Sequence, residues 1–136
     1  MVEIRVEYPG DLECKAIHGP SSTTLMTDAP ADNQGKARTF SPTDMMAVAL
    51  GTCIFTVMGI VAKRANIDMA GASLIVRKEM TSQPARRIGR LEVEIHMPRP
   101  LPDEDRRRLE NAAQTCPVKR SLHPDVDVPI RYHWGQ

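Results

Sequence analysis

Residues 45–62 form an eighteen-residue run without one charged side chain, and no other feature restricts the folding of this chain so strongly. The segment Ser41-Pro42-Thr43-Asp44 opens it as a helix. Ser41 can cap free amides, Pro42 suits the first helical position, and Asp44 fits both a capping box and the positive end of the dipole. Apolar groups then occur around the whole circumference, so the helix is expected to be buried on nearly every side. Its length also reaches the lower bound for a membrane span. Gly51, Thr52, Cys53, Thr56 and Gly59 interrupt it and no second span accompanies it, so the central helix of a soluble protein is the expectation, with no membrane partner.

The chain has 136 residues, about one domain's worth, so a single domain over residues 1–136 is expected. One layer of strands and one surface helix cannot cover a central helix in so short a chain. A second copy of the chain can, which predicts an obligate twofold dimer. The formal net charge of +1 removes any general attraction to nucleic acid or anionic surfaces. Aromatic residues are 4% against 8 Met, so the core must be built from aliphatic side chains and thioethers.

Around the helix the patterning is that of an α+β chain without repeats. Val2, Ile4, Val6 and Tyr8 alternate with Glu3, Arg5 and Glu7, and Pro9-Gly10 supplies a turn. Residues 12–18 and 22–27, separated by Gly19-Pro20, complete an antiparallel meander, and residues 28–36 read as an exposed loop. After the helix, which Asn66 and Gly71 terminate, residues 72–81 and 90–97 read as a hairpin with a solvated basic tip at Arg86, Arg87 and Arg90. Residues 103–115 follow as an amphipathic helix. Val126, Val128, Ile130, Tyr132 and Trp134 line one face of a final strand, where Pro129 points to an edge or bulge.

Three cysteines, Cys14, Cys53 and Cys116, are odd in number and widely spaced, and no apolar leader opens the chain, which predicts reduced thiols in the cytoplasm. Cys53 shares a helical stripe with Met46, Ala49, Leu50, Thr56, Val57 and Ile60. A thiol there is inert unless a cation or donor stabilises its thiolate. Arg38 is the nearest candidate before the helix, with Arg5 on the first strand and Lys63 beyond the run. Cys116 precedes Pro117, as if it caps a short helix. It is either a structural cap or a thiol made reactive by the helix dipole, Lys119 and Arg120. Cys14, between Glu13 and Lys15, has no such support. His18, His96, His123 and His133 are scattered without HxxxH or CxxC spacing, so no metal site is expected. No glycine-rich fingerprint follows a strand, so no nucleotide cofactor is expected either.

The run from Phe40 through Ser41-Pro42-Thr43-Asp44 to Leu50-Gly51-Thr52-Cys53, followed 63 positions later by Cys116-Pro117-Val118-Lys119-Arg120-Ser121-Leu122, resembles the OsmC/Ohr family. Its members are the osmotically inducible protein C and organic hydroperoxide resistance proteins, and the order of strands and helices agrees across nearly the whole chain. The resemblance implies an OsmC-like α+β fold, with antiparallel sheets packed on a long buried central helix in an intertwined homodimer. It also implies a cysteine-based peroxidase in oxidative stress defence. Cys53 would attack an apolar organic hydroperoxide, Cys116 would resolve the sulfenic acid as a disulfide, and an external dithiol would close the cycle without a bound cofactor. The family's thiolate-stabilising arginine has its closest positional counterpart in Arg38.

The chain departs from the family at the helix start, where Pro42-Thr43-Asp44 stands in place of the usual Pro-Glu. Asp44 lies about 13.5 Å along the axis and about 180° around the helix from Cys53, so it caps the helix or orients Arg38 instead of reaching the thiol. A second reading of the same features is a noncatalytic dimeric module that binds an apolar ligand or partner, with both thiols serving as packing groups.

Overall fold

A computed structural model of the chain describes residues 1–135. Two compact units share the chain, one covering residues 1–46 and the other starting at Ala47.

The first unit is the expected meander. Strands β1 (Ile4–Gly10), β2 (Glu13–His18) and β3 (Thr24–Asp28) form an antiparallel sheet in the order β1-β2-β3. Gly10 sits at φ +115°, a conformation that glycine adopts without a Cβ penalty, and it allows the chain to reverse directly into Asp11 and Leu12. The register places Val6 opposite Ala16 and Ala16 opposite Leu25, so Ile4, Val6, Tyr8, Ala16 and Leu25 share one face. That face is apolar and open: Val6 is 62% exposed and Tyr8 63%.

The second unit holds the core. Helix α1 (Pro42–Arg64) runs from the first unit into the second. It ends in a Schellman-type cap: Asn66 takes the left-handed φ of 57°, and the Ile67 amide donates to the Ala62 carbonyl at 2.8 Å. Strands β4 (Ser73–Thr81), β5 (Arg87–His96) and β6 (Ile130–His133) form a second sheet with β5 in the centre. Helices α2 (Asp103–Gln114) and α3 (Pro117–Ser121) connect β5 to β6. The expectation of purely antiparallel sheets is corrected here, because β6 pairs parallel with β5. A helical crossover returns the chain in the direction it left, whereas only a hairpin reverses it.

The alternation in Leu91-Glu92-Val93-Glu94-Ile95 divides β5 cleanly. Leu91, Val93 and Ile95 are fully buried and join Leu50, Ile54 and Met58 of α1 with Leu109 and Ala113 of α2 in one cluster. Approach of α1 to the sheet is close at Gly51, where a Cβ would stand 2.9 Å from Leu74 Cδ2 and 3.2 Å from Val76 Cγ2. A single chain therefore buries only one stripe of α1, formed by Ala47, Leu50, Gly51, Ile54, Met58 and Ala62. Met46, Thr56 and Ile60, assigned to the stripe of Cys53 from their spacing, are exposed. Burial on nearly every side is thus not achieved by one copy. The helix is long and apolar enough to cross a membrane by length and composition, and its buried stripe is instead part of this core.

Candidate functional site

Cys53 lies in the middle of α1, half-buried, one position before the fully buried Ile54. Cys116 follows α2 and is fully buried in the core cluster. The α2–α3 corner creates that position: Thr115 and Cys116 turn back on the Ala112 and Ala113 carbonyls, and Pro117 starts the next helix. Cys116 is indeed the cap of α3, since its Sγ accepts a hydrogen bond from the Lys119 amide at 3.4 Å.

The fold brings these two sulfurs together. Cys53 packs against the core cluster that contains Cys116, near enough for its sulfur to act on the Cys116 thiol, although 63 positions separate them in sequence. Burial pushes the Cys116 thiol above the ordinary thiol range, and the neighbouring Cys53 sulfur adds to that shift. This works against the thiolate that the helix end, Lys119 and Arg120 would favour at Cys116. A helix of five residues contributes little dipole, and desolvation outweighs the two backbone amides that favour the anion. The two thiols thus differ in setting: Cys53 is half-buried, and Cys116 is fully buried with burial favouring its protonated form.

Arg38 lies in the first unit, on the loop after β3. Its Nε donates to Asp28 Oδ2 at 2.8 Å and its Nη2 to Asp28 Oδ1 at 3.1 Å, a bidentate pair. Nη1 adds longer ion pairs to Asp11 at 3.3 Å and Glu13 at 3.5 Å. Asp28 is fully buried, and the guanidinium with the Arg38 amide holds its carboxyl well below the usual carboxylate range. Asp44 takes the capping alternative: its amide donates to Ser41 Oγ at 3.0 Å, and its Oδ2 accepts from the Ser41 amide at 2.9 Å. Cys14 sits opposite Thr27 in the first sheet.

Two of the histidines that look scattered in sequence are neighbours in the second sheet. The parallel register places His96 opposite His133, and their rings stack with centroids 4.5 Å apart. Glu94, two residues before His96 on the same face, directs Oε1 at both Nε2 atoms, 2.8 Å from His96 and 3.3 Å from His133. Sequence reasoning missed this cluster. The Glu94-x-His96 alternation was readable, but the third member depends on a parallel pairing that no local pattern encodes.

Comparison with known proteins agrees with this architecture. The family model described as OsmC-like protein matches residues 34–131. A crystal structure from Psychrobacter arcticus 273-4, described as a candidate osmotic stress induced and detoxification response protein, is 41% identical. It superposes with a TM-score of 0.92 over 98% of this chain and 96% of that one. The organic hydroperoxide resistance protein OsmC of Legionella pneumophila shares the fold at 14% identity and a TM-score of 0.78, covering 97% and 96% of the two chains. OhrB of Bacillus subtilis, an organic hydroperoxide resistance protein, does so at 17% and 0.71, covering 98% of each. No curated protein matches the chain. With more than half of its length matched by the family model and a 41% identical relative covering nearly all of it, the chain belongs to the OsmC-like family.

Proposed function

We propose that this protein is a thiol peroxidase that reduces organic hydroperoxides through Cys53 and Cys116. The observation that carries the reading is the packing of two cysteines from distant parts of the chain, Cys53 half-buried on α1 against the core cluster that holds the fully buried Cys116. Relatives described as organic hydroperoxide resistance proteins share the fold.

In this mechanism the Cys53 thiolate, with Cys116 donating to it, attacks the terminal oxygen of the hydroperoxide. The O–O bond breaks, the alkoxide takes up a proton and leaves as an alcohol, and Cys53 becomes a sulfenic acid. Cys116 then loses its proton and attacks that sulfur, expelling hydroxide that is protonated to water, and a disulfide forms. An external dithiol reduces the disulfide by exchange and departs as a disulfide itself. The cycle needs no bound cofactor, and it needs a reducing compartment such as the cytoplasm. The aliphatic and thioether character of the surrounding core favours apolar hydroperoxides. Arg38, held in one pose by Asp28, is the cation proposed to assist thiolate and peroxide, and Asp44 serves by fixing the start of the helix that carries Cys53.

Treatment of the reduced protein with one equivalent of cumene hydroperoxide should remove two hydrogens from its mass. Peptide mapping should place the new bond between Cys53 and Cys116. Thiols that stay reduced under these conditions would overturn the reading and favour a noncatalytic binding module.

The working unit is proposed to be a homodimer. Support comes from the open apolar face of the first sheet and from the exposed Met46 and Ile60 of α1, which a monomer leaves in water. Sedimentation equilibrium should give twice the 15.1 kDa chain mass at micromolar concentration, and a value of one chain mass would remove the proposal.

A further inference from the structure

We propose that Glu94, His96 and His133 form a binding site for a divalent transition-metal ion of the Zn2+ type, on the sheet face opposite the core. The groups that would donate are the His96 and His133 imidazoles and the Glu94 carboxylate, and one ligand atom from each lies within 4.8 Å of the others. Metal-bound nitrogen and oxygen ligands each stand about 2.0–2.2 Å from zinc, so donors around one ion are separated by roughly 3–3.5 Å. The separations of 2.8 Å and 3.3 Å already present between oxygen and nitrogens are within a few tenths of an ångström of that requirement.

The backbone builds the arrangement. His96 and His133 are direct partners across the parallel β5–β6 pair, so their rings leave the sheet side by side, and their interplanar angle is 7°. Glu94 projects from the same face because successive side chains alternate. Its second oxygen is occupied: Arg77 Nη1 on β4 donates to Oε2 at 2.8 Å, which orients the carboxylate and leaves Oε1 directed at the imidazoles. This is the support that ligating carboxylates commonly receive from an outer group. With each imidazole proton carried on Nδ1, both Nε2 atoms are free to ligate, and because the rings are stacked nearly parallel, rotation of one ring about its Cβ–Cγ bond would bring the two lone pairs onto one ion. Two imidazoles and one carboxylate suit zinc, copper or nickel better than calcium or magnesium, which prefer oxygen donors.

Charge on the face sets a limit on the affinity. Arg77 is close to Glu94, and Arg131 on β6 lies beside it in register. Glu92 takes up part of that positive charge, pairing with Arg131 at 3.2 Å, Arg90 at 3.1 Å and Arg77 at 3.4 Å. Protein atoms supply three ligands, and His96 and His133 are 41% and 53% exposed at the side chain, so water completes the coordination sphere. The site is independent of the thiol chemistry.

The test is calorimetric titration of ZnCl2 into the intact reduced protein, with the same titration on His96→Gln, His133→Gln and Cys53→Ser. Each histidine substitution should weaken binding roughly 10–100-fold, while Cys53→Ser should leave this event in place. His133 is on the exposed face of an edge strand, so its replacement keeps the core intact. As a second readout, substoichiometric Zn2+ should shift the ring resonances of His96 and His133 and not those of His18 and His123. Absence of saturable binding, or binding that survives both histidine substitutions and disappears with Cys53→Ser, would overturn the proposal.

Discussion

If the proposed peroxidase cycle holds, Cys53→Ser should lower hydroperoxide consumption by at least about 10³-fold, because the substituted hydroxyl is not a nucleophile at neutral pH and Cys116 is fully buried. Stopped-flow measurement with cumene hydroperoxide reads this directly, and retention of even a tenth of the turnover would sink the peroxidase reading. Cys116→Ser should behave differently. Its first turnover proceeds and stops at the sulfenic acid, so one equivalent of alcohol forms per active site and steady turnover fails.

The wild-type pair also predicts a pH dependence for the second step. Cys116 must ionise to attack, and burial, the leading cause of its raised pKa, persists after Cys53 is oxidised. The contribution of the Cys53 charge disappears once that sulfur is a neutral sulfenic acid. Disulfide formation in a single turnover should therefore accelerate as pH rises through neutrality, with an apparent midpoint above the ordinary thiol value of about 8.5. A rate that is flat from pH 6 upward would mean that the inner thiol is not the resolving group.

Ile54→Ala should destabilise the fold by about 2–5 kcal/mol, the range for truncating a fully buried aliphatic side chain and leaving a cavity. Ile54 is 0% exposed and belongs to the cluster that contains Leu91, Val93, Ile95 and Cys116. Urea unfolding checks it: the midpoint should fall with little change in slope. The same variant probes the site, since Ile54 adjoins Cys53 on the helix. A loss under about 1 kcal/mol would show that this stripe is not the packed face of α1.

Much of the fold was legible because its signals are local. Ser41 and Asp44 form the reciprocal cap that their spacing implies, and Asn66 ends the helix through a left-handed turn. The hairpin and the amphipathic helix α2 fall within a few residues of their expected limits, for hydrophobic alternation and prolines mark them directly. Around α1 the reading was less exact. An apolar circumference carries no phase, so the sequence could not show which stripe one chain buries; Gly51, Ile54 and Met58 face the core while Met46 and Ile60 do not.

The amino-acid order by itself determined where the chain turns, where its long helix begins and ends, and which two cysteines carry the family's motifs. Tertiary structure alone decided what stands beside what. It set the parallel seating of β6 against β5, the burial that raises the Cys116 pKa, the packing of Cys53 on the cluster that holds Cys116, and the meeting of Glu94, His96 and His133. The physical reason is one of range: caps and turns are fixed by interactions over three or four residues, whereas desolvation and convergence of side chains depend on segments that meet only when the core closes.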